Sequence, residues 1–563
     1  MPDAPLVAHG ELAAALRALH DRGFAQLPRA GYARRFEGTL ACQRGLVRIR
    51  LTIRDWDFVH YPTVQVLEAP SGLSGLLPHI DADRGLCYLA SGSVVLDRFH
   101  PEHAIVQCLD LARLELDRLL TGPVYRQNEF QSEFGANWNI GQRPLPWTVL
   151  LGSIHPDSDL ASALLVGPPD ERMLAISSLP EEIARWCAVR GWPAPVEAAL
   201  TCWIVRSDQA PTLPQNALPG TIGEMFAWIK AWDTRAYAAI QRILGRPDYL
   251  ARPHVMFLLQ CRAGWFGFDM TLDASKRQVF RRKPSYMRQS LHGRGSSRSI
   301  SRVAVQEIGP SFVHSRNLTY HSIQDRRITV IGCGAIGGYL AQALARLGAG
   351  TGAGQLTLID PDRLRAENLG RHWLGYDSLF LPKAEAVQRR LQQEFPTINV
   401  MACPREANWH DDLCGDLIID ATGEEALSEA LNCHRLQVDS AVRPPLLHVW
   451  IVGNGDCAQA LWVDTPKFAC YRCLRCNDGA RTPRFPVMNH PVEQRNLGCH
   501  AFTPFAVSAP MSAAALASDL VIDWMRGDPS PRFRTRTTES ADIRKLKPQN
   551  LTPLTGCPAC SPR

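Results

Sequence analysis

In residues 11–21 the apolar positions fall at Leu12, Leu16 and Leu19, one face of a helix. Three strand-like runs follow at residues 35–42, 46–53 and 63–67. An irregular stretch, residues 72–84, leads to Gly85, Leu86, Cys87 and Tyr88. Residues 101–120 then carry Ile105, Cys108, Leu109, Leu111, Leu114 and Leu119, which predicts a long helix. The middle of the chain still reads as folded. It has strands at residues 147–152 and 201–205, helices at 179–189 and 222–244, and a hairpin from 254–259 and 264–270. No set of residues there carries evident chemistry. In the last part, Ile328, Val330 and Ile331 make residues 327–331 a short buried strand. Leu340, Leu344 and Leu347 mark a helix directly after it. Further strands are expected at 355–359 and 417–420, and an apolar helix at 511–525.

The chain has 563 residues, enough for about three to four domains. Its net charge of +6 gives no argument for nucleic-acid binding, and none is expected. Basic residues do cluster from Lys276 to Arg298, and that stretch reads as a solvated loop or linker. The start lacks a basic stretch followed by an apolar run, so no secretory leader is expected. No segment approaches the ~20 apolar residues of a membrane span. The expected setting is the cytoplasm, where thiols stay reduced.

That setting shapes the reading of the cysteines. Cys470 and Cys473 form one C-x-x-C pair, and Cys557 and Cys560 form another. Two such pairs have the spacing that points four thiolates at one tetrahedral zinc ion. A redox role needs one active pair at a helix start, not two distant ones. The segment between the pairs is long, so a shared metal would clasp a whole subdomain. Cys476 is an ambiguous substitute ligand. Cys499 lies inside the clasp without a C-x-x-C partner.

The strand at 327–331 runs into Gly332, Gly334 and Gly337, a G-x-G-x-x-G loop that opens a helix. Such glycines let backbone approach phosphates, and the helix start supplies N–H groups. The second strand ends in Asp360, placed to hydrogen-bond a ribose hydroxyl. These features fit a dinucleotide or a mononucleotide. Asp362, Asn368, Arg371 and Lys383 come next, and the last three are residues suited to a triphosphate. The third strand ends in Asp420.

These residues, in this order, resemble the E1-like adenylation family of ThiF/MoeB proteins and ubiquitin-activating enzymes, over roughly residues 311–560. The resemblance implies that Asp360 holds the ribose of ATP, while Asn368, Arg371 and Lys383 contact its phosphates. Arg316 looks like the family arginine that reaches the active site of a second copy, which implies a homodimer. The family's magnesium-binding aspartate, three residues past the third strand's aspartate, is replaced by Gly423. Asp420, Glu424 and Glu425 remain as possible magnesium ligands. Cys499 occupies the place of the cysteine that captures an acyl-adenylate as a thioester. The other reading of Cys499 is a small buried cysteine. Cys433 and Cys457 are weaker candidates.

The N-terminal plan of helix, antiparallel meander, cysteine loop and helix resembles a ubiquitin-conjugating E2 domain. Pro78, His79 and Ile80 ahead of Cys87 look like a contracted E2 signature without its asparagine. Cys87 is then the expected thioester carrier, or else a cysteine filling the core beside Leu86 and Leu89. His79 either supports the reaction or only shapes the loop.

The expected fold is α/β: an E2-like domain at 1–140, an α+β linking or inactive domain at 141–305, and a Rossmann-like E1 domain with structural zinc at 306–563. The combination resembles bacterial E2–E1 fusion proteins of CBASS antiphage operons. That resemblance implies activation of a protein C-terminus with ATP, Mg2+ and Zn2+, thioesters on Cys499 and then Cys87, and ligation to a lysine-bearing target. The activated protein would be a CD-NTase or a ubiquitin-like protein. Two other classes stay open: a sulfur-carrier adenylyltransferase of ThiF/MoeB type, and a non-catalytic scaffold.

Overall fold

The computed structural model describes residues 9–68, 76–90, 92–138, 147–319, 322–408, 411–438, 443–497, 500–540 and 542–561. The chain divides into two compact units, Met1–Ser178 with Pro195–Gln306, and Leu179–Ala194 with Glu307–Arg563.

The first unit begins with the helix His9–Asp21 and a five-stranded antiparallel meander. Its strands are Ala25–Ala30, Ala33–Cys42, Gly45–Ile53, Thr63–Glu68 and the two-residue Gly85–Leu86. In Gly45–Ile53 every second residue, Val47, Ile49, Leu51 and Ile53, is buried, the two-residue period of a half-buried strand. That face packs on the helix Pro101–Thr121, whose Ile105, Cys108, Leu109, Ala112 and Leu116 fill the same core. The strand Ala25–Ala30 escapes the sequence reading because its residues are mostly exposed and carry no apolar alternation.

The same unit contains an eight-stranded mixed sheet. Leu200–Arg206 pairs with His254–Cys261 on one side and also with Leu160–Val166. The expected single helix at 222–244 is two helices, Ile222–Trp232 and Thr234–Ile243. Asp233 divides them: its carboxylate accepts the N–H groups of Arg235 and Ala236 and so starts the second helix. The basic stretch at 276–298 is not a linker. It forms the helices Ala274–Phe280 and Pro284–His292. Met287 and Leu291, one turn apart, enter a core with Ile222, Met225 and Ile229. These two buried residues anchor the helix Pro284–His292, so its charges cover only its outer side.

The second unit is built on a seven-stranded sheet in the order Val400–Cys403, Gln355–Ile359, Arg327–Ile331, Leu417–Asp420, Leu446–Val452, Cys457–Val463, Phe533–Thr537. The first five strands are parallel and the last two pairings antiparallel. The central strands are buried along almost their whole length, as in a sheet covered on both faces. Chain order reverses between Arg327–Ile331 and Leu417–Asp420, and such a switch point opens a crevice at the strand ends. Among the described residues no helix is long and apolar enough to cross a membrane.

Candidate functional site

The crevice at the switch point is a cavity of about 700 Å3. Gly332, Gly334, Asp360, Asp362, Asn368, Arg371 and Lys383 all line it, so residues spread over about fifty positions meet at one place. Gly332 has φ +89°, and a Cβ there would stand 2.9–3.0 Å from Thr422. Gly337 does not line the cavity. It lies behind the loop, where a Cβ would fall 1.8 Å from the Gly332 carbonyl oxygen. No rotamer relieves that overlap, so Gly337→Ala is expected to push the loop out of shape and abolish ATP binding in calorimetry. Binding at unchanged affinity would place the nucleotide elsewhere.

Asp360 is buried and shapes the loop directly. Its Oδ2 accepts the Cys333 N–H at 2.7 Å, and its Oδ1 accepts the Asp362 N–H at 2.8 Å. Each carboxylate oxygen keeps a further lone pair for a ligand. Burial pushes the Asp360 carboxyl upward, and the nearby Lys383 ammonium opposes this. Lys383 opens the helix Lys383–Glu394, and its Nζ lies 2.8 Å from Asp362 Oδ2. The Arg371 guanidinium stands 4.7 Å from the centre of the Phe505 ring. Asn368 accepts the Arg365 N–H through Oδ1 at 3.0 Å.

Besides Gly337, two more expected residues, Asp420 and Arg316, are not in the cavity lining. Asp420 is fully buried. Its Oδ2 accepts from Ser428 Oγ at 2.5 Å and pairs with His448 Nδ1 at 2.8 Å. Its Oδ1 accepts the N–H and hydroxyl of Thr422. Arg316 is exposed at the end of the helix Pro310–Ser315. Of the acids near Gly423, Glu425 pairs with Arg475 and Arg481, whereas Glu424 lines the cavity.

Sequence reasoning missed His372. It is buried, with Nε2 2.8 Å from the Cys333 carbonyl oxygen and Nδ1 accepting the Leu374 N–H. Burial pushes its pKa down to about 4. The neutral ring thus donates from Nε2 and braces the glycine loop from below. Its position beside Arg371 was the one available signal.

The four predicted zinc ligands come together. Cys470 Sγ is 3.8 Å from Cys473 Sγ and 3.9 Å from Cys557 Sγ, and Cys473 Sγ is 3.4 Å from Cys560 Sγ. All four lie within 4.8 Å of one another. A tetrahedron of sulfurs at ~2.3 Å from zinc has edges of about 3.8 Å, so the donor set fits that ion. Cys476 is not part of this group.

Cys499 lies outside the described residues. Close to it in sequence, Phe502, Thr503 and Phe505 line the cavity. Of the weaker thiol candidates, Cys457 is buried and pushed up to about 12, chiefly by that burial.

Cys87 follows the short strand Gly85–Leu86, which pairs with Thr63–Glu68. It is exposed and does not fill the core. Its N–H donates to the His79 carbonyl oxygen at 2.7 Å, so that group is already used. His79 holds this position with φ +62°, a left-handed backbone. Burial first, then the charges of Glu133, Glu115 and Asp81, push the Cys87 thiol upward. Neither glutamate stands out in the sequence.

The prokaryotic E2 family B model matches residues 29–143, and the ThiF family model matches residues 302–558. The ATP-dependent ubiquitin transferase-like protein Cap2 of Pseudomonas aeruginosa is 30% identical over 494 residues, covering 86% of this chain and 87% of its own. The protein of the same name from Vibrio cholerae is 23% identical over 545 residues, 92% of each chain. Escherichia coli MccB with ATP aligns with 58% of this chain and 82% of its own at 17% identity and a TM-score of 0.33. With both modules matched and a relative aligned along nearly its whole length, the chain belongs to the Cap2 family of ATP-dependent ubiquitin transferase-like proteins.

Proposed function

We propose that the protein activates the C-terminal carboxylate of another protein with ATP and joins it, through two thioesters, to a lysine-bearing target. One observation carries this reading: a cavity that gathers Asp360, Asn368, Arg371 and Lys383 occurs in the same chain as an exposed cysteine on an E2 module. The domains are E2-like at 1–140, linking at 141–305 and E1-like at 306–563.

In this reading the substrate carboxylate attacks the α-phosphorus of ATP and pyrophosphate leaves. Asp360 holds the ribose, while Asn368, Arg371 and Lys383 neutralise the phosphates. The Cys499 thiol then attacks the acyl-adenylate, and AMP departs. Exchange moves the acyl group to Cys87, and an amine finally takes it as an amide. Magnesium fits the oxygen donors of the cavity wall, where Glu424 is the carboxylate left open near Gly423. Zinc fits the four thiolates and serves the fold rather than the reaction. Arg316, exposed and outside the cavity lining, is assigned to the site of a second copy in a homodimer. The activated protein is a CD-NTase or a ubiquitin-like protein. A neighbouring gene for one or the other decides between them.

A sulfur-carrier adenylyltransferase is the second reading, and the E2 match argues against it, since sulfur transfer needs no second thioester. The test is acyl transfer followed by mass spectrometry with and without an added small thiol. An adduct released by that thiol through acyl exchange is expected on Cys87. In Cys87→Ala the adduct is expected to stop at Cys499, with amide products lost. Conjugates that persist in Cys87→Ala or in Cys499→Ala would remove that cysteine from the relay.

A further inference from the structure

Aminolysis of a thioester by lysine has a protonation problem. The ε-amino group is an ammonium ion at neutral pH and has no lone pair to offer. Some group beside the thioester must accept that proton. The E2 signature's asparagine is missing here, and the Cys87 N–H is already donated to His79.

What does stand beside Cys87 is a histidine ringed by three carboxylates. His79 Nε2 lies 3.0 Å from Glu129 Oε2 and 4.0 Å from Glu115 Oε1. His79 Nδ1 has no hydrogen-bond partner among the described residues, and Glu133 Oε2 stands 3.6 Å away. Glu129 and Glu133 are one helical turn apart, at the end of the helix Pro123–Ser132, and Glu115 comes from the helix Pro101–Thr121. The segment ahead of the strand Gly85–Leu86 contributes His79 and Asp81.

The three glutamates are not equivalent. Glu115 is buried, accepts from the Tyr125 hydroxyl on both oxygens and faces Arg118 at 3.8 Å. Glu129 is taken by His79 and Ser132. Asp81 accepts the N–H groups of Asp83 and Gly85. Glu133 alone makes no side-chain hydrogen bond among the described residues, and it is 39% exposed. It is also the foremost charge acting on the Cys87 thiol. The open carboxylate is thus at the rim, 3.6 Å from the ring of the histidine whose carbonyl holds the Cys87 N–H.

We infer that Glu133 receives the acceptor's ammonium group and takes its proton, with His79 as the positioning residue that holds Cys87 and the glutamates together. This rests on the reading of Cys87 as acyl carrier. The ammonium proton passes to Glu133, and the freed nitrogen pair forms the C–N bond. The C–S bond breaks with its electrons on sulfur, and the second nitrogen proton ends on that sulfur as thiol. Glu133 then releases its proton to water. The cluster's negative charge selects a cationic primary amine over neutral nucleophiles, and it favours the thiol over the thiolate as the departing group.

The experiment uses the full chain acylated by a small probe, the acetylglycyl thioester of 2-mercaptoethanesulfonate. Amide formation is followed with free lysine and with hydroxylamine, which is largely unprotonated near neutral pH and needs no base. Cys87→Ser supplies the background from other thiols. The unmodified chain is expected to exceed that background with both nucleophiles. Glu133→Gln is expected to lose about 10²-fold with lysine and to keep its rate with hydroxylamine. An unchanged lysine rate in Glu133→Gln overturns the assignment, as does an equal loss with both nucleophiles, which would mean a damaged thiol site. If the unmodified chain does not exceed Cys87→Ser, the acyl-carrier reading itself fails.

Discussion

Replacing Lys383 with alanine is expected to lower ATP–pyrophosphate exchange, driven by the activated protein, about 10²–10³-fold. Lys383 lines the cavity as a nearly buried cation. Its backbone opens a helix, so its ammonium adds to the positive end of that helix. Its Nζ is fixed 2.8 Å from Asp362 Oδ2 and is nearly buried. A phosphate therefore meets a charge already aimed, with little reorganisation left to do. Stability should respond much less. The side chain of Asp362 is 68% exposed, so water replaces the lost partner and the pair resembles a surface ion pair. The expected signature is lost exchange at a nearly unchanged melting temperature. Lys383→Arg should not restore the rate, because a planar fork does not fit where a compact ammonium sat. Exchange within about threefold of the unmodified protein would remove Lys383 from the phosphate site.

Cys473→Ser is expected to act in the opposite sense, on stability first. Cys473 is fully buried and shares a small core with Leu461, Val463, Phe533 and Leu551. All four thiolates belong to that core, so the metal they fit would supply much of its cohesion. Structural zinc contributes ~10–16 kcal/mol in small zinc domains, and loss of one thiolate forfeits part of that. A loss of about 4 kcal/mol would lower the melting temperature by on the order of 10 °C. Elemental analysis should show the zinc gone, whereas Cys476→Ser should retain it. A Cys473→Ser protein that keeps one zinc per chain and melts normally would contradict the four-thiolate site.

Legibility in the sequence followed distance along the chain. The glycine loop, Asp360 and Lys383 could be read because each is tied to the start or end of one element. The meander and its helix were readable from alternation in Gly45–Ile53 and from one-turn spacing in Pro101–Thr121. What failed depended on remote partners. Asp420 could be read as a magnesium ligand or as a strand-end acid making local hydrogen bonds, and nothing in the sequence chose between them. Its carboxylate is consumed by Ser428, Thr422 and by His448 from the neighbouring strand. The glutamates around His79 come from two helices that begin more than twenty residues later. Each alone resembles an ordinary helix-surface acid. The basic stretch at 276–298 misled because two buried side chains, Met287 and Leu291, outweigh many exposed charges.

The bracing of the glycine loop by Asp360 and His372 has a consequence for timing. Fixing one flexible residue costs about 1–2 kcal/mol in lost backbone freedom. In this chain that ordering is completed during folding, because a carboxylate holds the Cys333 N–H and an imidazole holds its carbonyl oxygen. An arriving nucleotide meets a rigid cradle, so little of its interaction energy is spent on arranging the protein.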